Sequence, residues 1–141
     1  MSLQIAGGCH CGNIAFSLEW PADAAQIGRR ECGCSFCQKH GAAWTSHPEA
    51  RLEIHIKDAA SASRYRFGTA TADFHVCSTC GVPPLVTCEI DGMLYGIVNV
   101  NTLEAAEGVS FVTTSTDFDG EKVDDRLDRR QRNWIPSVRI N

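Results

Sequence analysis

The sequence predicts a mainly β domain with zinc knuckles at strand ends and one C-terminal helix. Three observations carry this. Apolar residues alternate with polar ones along most of the chain, the cysteines fall in tight glycine-bounded groups, and helical periodicity is clear only once, from Glu121 to Trp134.

Each element has its own signal. Ile14, Phe16, Leu18 and Trp20 share one face of a strand, with Ala15, Ser17 and Glu19 on the other. Leu52, Ile54 and Ile56 alternate with Arg51, Glu53, His55 and Lys57, the pattern of a half-buried strand. Tyr65 and Phe67 alternate with Arg64 and Arg66, and Phe74 and Val76 lead into Cys77. Leu85 to Ile90 and Met93 to Val100 flank Asp91-Gly92, a type I′ hairpin signal. Phe111 to Thr114 adds a short strand. In the helix, Val123, Leu127 and Trp134 lie near one face, and Asp125 with Arg129 and Asp128 with Arg132 are favourable i,i+4 pairs. The basic end suits the helix dipole, and this charged stretch reads as a solvated face. Ile135-Pro136 ends the helix.

The chain has 141 residues, 43% hydrophobic and 21% charged, the size and composition of one globular domain over residues 1–141. No apolar run approaches the roughly 20 residues of a membrane helix, so no membrane partner is expected. The N-terminus lacks the basic flank and apolar stretch of a signal peptide, which predicts a cytoplasmic protein. The formal net charge of −4 makes nucleic acid a poor partner.

Eight cysteines are unusual for this length. In a reducing compartment they point to metal, catalysis or burial rather than to disulfides. Seven lie in three groups: Cys9-His10-Cys11-Gly12, Cys32-Gly33-Cys34-Ser35-Phe36-Cys37 and Cys77-Ser78-Thr79-Cys80-Gly81. Short turns bring paired sulfurs within reach of one ion, and Gly81 can take a left-handed conformation after the second ligand. The economical partition joins the two pairs, Cys9, Cys11, Cys77 and Cys80, in one closed four-ligand site. The trio Cys32, Cys34 and Cys37 then holds a second ion, with zinc the expected metal at both. Four protein ligands mark a structural zinc, and three with an open position mark a catalytic one. His40 or Cys88 can also close the second site. Cys88, inside an apolar run, otherwise reads as a buried small hydrophobe. His10 is expected to point away from the metal of its neighbours, and His47 and His55 are isolated.

The motif Gly-x-Cys-His-Cys-Gly, followed by Cys-x-Cys-x-x-Cys and then Cys-x-x-Cys-Gly, resembles the glutathione-dependent formaldehyde-activating enzyme family, which shares its domain with centromere protein V. The resemblance covers Gly7 to Val100. It implies an Mss4-like β-sheet fold and two zinc ions per chain. It also implies a structural zinc on Cys9, Cys11, Cys77 and Cys80 and a catalytic zinc on Cys32, Cys34 and Cys37. The implied activity is that of a carbon–sulfur lyase joining a small thiol such as glutathione to formaldehyde or a related small aldehyde, as an S-hydroxymethyl adduct. The alternative is a non-catalytic zinc module for a protein or small-ligand partner. Two features depart from the family pattern. Gly81-Val82-Pro83-Pro84-Leu85 stands where the family often carries a Gly-Ser-Pro-Leu-like run, and the C-terminal third differs from that of the founding glutathione enzyme.

Overall fold

The computed structural model describes residues 2–24, 26–104, 109–118 and 120–141. In chain order the elements are β1 (Ser2–Gly8), β2 (Ile14–Pro21), β3 (Gln26–Cys32), α1 (Ser35–His40), β4 (Trp44–Thr45), β5 (Arg51–Ile56) and β6 (Ala62–Tyr65). They continue with β7 (Asp73–Cys77), β8 (Leu85–Ile90), β9 (Met93–Asn99), β10 (Leu103–Glu104), β11 (Ser110–Thr116), α2 (Val123–Asn133) and β12 (Ser137–Ile140). One sheet runs β10-β1-β2-β5-β12 and the other β11-β3-β4-β9-β8-β7-β6. Both are mixed, because β12 joins β5 and β11 joins β3 in parallel while the other pairings are antiparallel.

The alternation in the sequence becomes the burial pattern. Ile14, Phe16, Leu18 and Trp20 of β2 and Leu52 and Ile54 of β5 are all buried. Asp91 and Gly92, at φ 52° and 79°, both take the left-handed conformation that a type I′ turn requires. That turn pairs Ile90 with Met93 and sets the register of β8 against β9.

These two strands are buried on both faces, and the period of two divides their residues between two cores. Leu85 and its partner Val98 join Ile5, Phe16, Leu18, Leu52 and Ile54 in a core built from both sheets. Val86 and its partner Ile97 join Trp44, Tyr95 and Trp134 in a second core. Cys9 and Cys77 belong to the first core and Cys37 to the second, so the seven-stranded sheet separates the two cysteine groups.

Several elements differ from the sequence expectation. A second helix, α1, follows Cys34; its six residues are too few for periodicity to register. β1, β3 and β12 are strands in which the alternation is broken by glycine, charge or proline neighbours. β6 ends at Tyr65, so Phe67 lies beyond it. The helix begins at Val123, and Arg129 pairs with Glu121 rather than with Asp125.

Candidate metal centres

The first cluster is made by two turns. Between β1 and β2, the Gly12 amide donates to the Cys9 carbonyl at 3.2 Å, and the Ile14 amide donates to Cys9 Sγ at 3.3 Å. After β7, the Gly81 amide donates to the Cys77 carbonyl at 2.8 Å, with Gly81 at φ 80°. These turns gather Cys9, Cys11, Cys77 and Cys80, with all four sulfurs within 4.8 Å of one another. Cys11 Sγ lies 3.8 Å from Cys9 Sγ and 3.5 Å from Cys77 Sγ. A tetrahedral ZnS4 site with bonds of about 2.3 Å has sulfurs about 3.8 Å apart, so these two spacings match a zinc site and the donor set suits the ion.

Backbone hydrogen bonds prepare two of these sulfurs for ionisation. The one from Cys80 lowers the Cys77 thiol. Burial opposes ionisation of Cys80, but backbone hydrogen bonds from Cys11 and Val82 hold it down to about 6. Cys11 receives a lowering backbone hydrogen bond from Asn13, yet the neighbouring thiol of Cys77, desolvation and the thiols of Cys9 and Cys80 carry it up to about 11. A cation there would displace the thiol protons that now hold the cluster together.

The second cluster sits where β3 runs into α1. The Gly33 amide donates to the Thr116 carbonyl at 2.8 Å and ties the chain to β11. Cys34 caps α1, its sulfur accepting from the Cys37 amide at 3.3 Å. Gly41, left-handed at φ 62°, closes the helix. The sulfurs of Cys32, Cys34 and Cys37 converge, with Cys34 and Cys37 2.8 Å apart. That is shorter than the edge of a ZnS4 tetrahedron, so ligation requires these two side chains to open by about 1 Å. Trp44 Nε1 donates to Cys37 Sγ at 3.3 Å from the buried side.

The trio shares its protons unequally. The Cys37 thiol donating to Cys32, with help from the Cys34 backbone and against burial, pulls Cys32 down to about 5. The same contact and burial push Cys37 up, and burial pushes Cys34 up. All eight cysteines are free thiols.

Neither alternative ligand joins the trio among the described residues. The His40 ring packs on Phe36 with centroids 4.5 Å apart. Cys88 is buried, as expected, but it is not a plain hydrophobe. Its thiol donates to the Thr71 carbonyl at 3.1 Å, and its sulfur lies 3.4 Å from Arg130 Nη1. His10 is exposed, His47 packs edge-on against Trp20, and His55 lies beside Glu53.

The two clusters differ most in what surrounds them. Cys32, Cys34 and Cys37 line a pocket of about 600 Å³, walled by Trp44, Phe67, Phe74 and Trp134 and by Arg30, Arg126, Arg129 and Arg130. The helix read as a solvated face therefore turns three of its four arginines inward and leaves Arg132 exposed. Arg130 is 7% exposed, and the side chains of Arg126 and Arg129 are 19% and 18% exposed. The sequence signal was present, since three arginines at i, i+3 and i+4 make one helix stripe, but charge alone gives no reason to bury it.

A family model described as "Glutathione-dependent formaldehyde-activating enzyme" matches residues 4–124. Among solved structures, a structural genomics target from Rhodobacter sphaeroides is 31% identical over 76% of this chain and 99% of that chain, with a TM-score of 0.49.

Proposed function

The chain belongs to the glutathione-dependent formaldehyde-activating enzyme family, and from that premise we propose that it is a zinc-dependent carbon–sulfur lyase. In this reading it joins a small thiol such as glutathione to formaldehyde or a related small aldehyde, and cleaves the same adduct in reverse. Cys9, Cys11, Cys77 and Cys80 hold a structural zinc, and Cys32, Cys34 and Cys37 hold the catalytic one. One observation carries the proposal: the three-sulfur cluster lines a pocket large enough for a small peptide thiol, whereas the four-sulfur cluster has a complete ligand set of its own.

The reaction needs a thiolate, an aldehyde carbon beside it, and a proton for the carbonyl oxygen. The carbon–sulfur bond forms, the carbon–oxygen π bond breaks, and the thiol proton ends on the new hydroxyl, with no change in oxidation state. A free thiol near pKa 8.5 is only a few per cent ionised at pH 7, a deficit of about 2 kcal/mol. Zinc bound by the trio supplies the Lewis acidity that keeps a substrate thiol ionised at neutral pH. The chain does the rest. Cys32 and Cys34 are fixed at the end of β3 and the start of α1, so the cluster has a rigid base. Trp44, on the pocket wall, holds Cys37 Sγ through its indole N–H. The aromatic walls at Phe67 and Phe74 limit water beside the reacting carbon.

The test is exchange NMR with ¹³C-formaldehyde and glutathione. The zinc-loaded protein should accelerate formation and breakdown of S-hydroxymethylglutathione above the spontaneous rate, and Cys34→Ser should abolish the acceleration. A zinc-loaded protein with no effect on any thiol–aldehyde exchange overturns the proposal and favours a non-catalytic zinc module.

A further inference from the structure

Among the described residues, the pocket wall contains more arginines than carboxylates. Four arginines line it, against Glu121 and Asp117. Glu121 is committed to α2: it accepts from Arg129 Nη2 at 3.0 Å and lies 3.4 Å from Arg126 Nε. Arg129 also covers the Phe118 ring, 3.6 Å from its centroid, and Arg126 Nη2 donates to the Phe118 carbonyl at 2.7 Å. Both side chains are engaged with Glu121 and Phe118, although Arg126 Nε, like that of Arg130, is buried without a hydrogen bond among the described residues.

Arg130 is different. It is 93% buried, yet it forms no ion pair with a carboxylate among the described residues. Its Nη1 donates to Thr71 Oγ1 at 2.8 Å and reaches Cys88 Sγ at 3.4 Å, while its guanidinium sits 4.9 Å from the Trp134 ring centroid. Its Nε is buried with no hydrogen-bond partner among the described residues. Arg30 enters the same wall from β3, and its side chain donates to the neutral Ser46 hydroxyl at 3.1 Å, with no carboxylate ion pair among the described residues. A buried guanidinium with an unused N–H is costly unless something pairs with it, and its planar fork matches a carboxylate. Glu121 and Asp117 on the same wall disfavour a dianion, so a monoanionic carboxylate suits the pocket better than a phosphate.

We propose that Arg30 and Arg130 form a carboxylate subsite that selects thiols bearing an acidic group, the substrate sulfur lying at the Cys32–Cys34–Cys37 cluster. The inference rests on the proposed function and deepens it. Arg130 lies on α2 beyond residue 124, where the family match ends.

The experiment uses the intact protein with cobalt in both sites. ω-Mercaptocarboxylates from mercaptoacetate to mercaptohexanoate, each beside its carboxamide, are titrated in. Binding is read from the sulfur-to-cobalt charge-transfer band and by calorimetry. At least one carboxylate should bind roughly ten- to a hundredfold more tightly than its amide. Arg130→Gln and Arg30→Gln should each bring that ratio towards one, and Arg130→Lys should keep part of it. Equal binding of acid and amide to the wild-type protein overturns the subsite and leaves the proposed function standing. So does a ratio that survives both glutamine substitutions, because an Arg130 that merely anchors α2 would change stability and not selectivity. Should Arg130→Gln not fold, the wild-type ratio and Arg30→Gln decide. No response to any thiol, with both metals present, overturns the proposed function and the subsite with it.

Discussion

Trp44 Nε1 donates a hydrogen bond to Cys37 Sγ at 3.3 Å, reaching across from β4 to α1. This contact lowers the Cys37 thiol, although its neighbours and burial raise it on balance. The sign of its effect on metal binding follows. A metal must displace the Cys37 proton, so removing a donor that favours the thiolate lets protons compete at higher pH. Trp44→Phe should move the pH midpoint for loading the second site upward and weaken that site roughly tenfold. The check is a pH series of zinc titrations against a competing chelator; an unmoved midpoint would assign Trp44 to packing alone.

The two sites should differ in what they do for the fold. The four-cysteine cluster staples the β1–β2 turn to the end of β7, and Cys9 and Cys77 sit inside the first core. Structural zinc contributes about 10–16 kcal/mol of apparent binding free energy, as large as the whole stability of a typical domain. Cys77→Ser should therefore give little folded protein. Cys34→Ser should fold, hold one zinc instead of two, and melt only slightly lower. Elemental analysis with thermal unfolding checks both, and a more destabilising Cys34→Ser would invert the roles.

His40 and Cys88 should not affect zinc content. His40 is engaged with Phe36, and Cys88 with Thr71 and Arg130. His40→Ala and Cys88→Ala should both retain two equivalents of zinc after dialysis. Loss of one equivalent from either would make that residue the fourth ligand of the second site.

Gly7 tests the frame around the first site. A methyl group there would collide with the Phe16 ring and lie 2.8 Å from the Thr102 carbonyl oxygen. Phe16 is buried between the sheets, so it has no free space to retreat into. Gly7→Ala should cost about 1–3 kcal/mol, read from a urea midpoint with zinc bound. Gly28→Ala, where nothing lies within 4 Å of the added carbon, is the control and should be nearly neutral.

Whatever depends on neighbours a few residues apart is legible in the amino-acid order. Cys77 and Cys80 must approach one another because a two-residue turn joins them, and Gly81 takes the left-handed conformation that closes it. Asp91-Gly92 fixes its hairpin for the same local reason, and the alternation in β2 and β5 already names their buried faces. Contacts between residues far apart in the chain follow from how the two sheets and α2 pack, and the packing has no local signal. It brought Cys11 to within 3.5 Å of Cys77, set His40 and Cys88 aside from the trio, and put the two cysteine groups on opposite sides of one sheet. It also turned Arg130 into the pocket. A helix stripe of arginines is the same pattern whether water or a cavity faces it, because burial of charge is set by the elements packed around the helix and not by spacing along it.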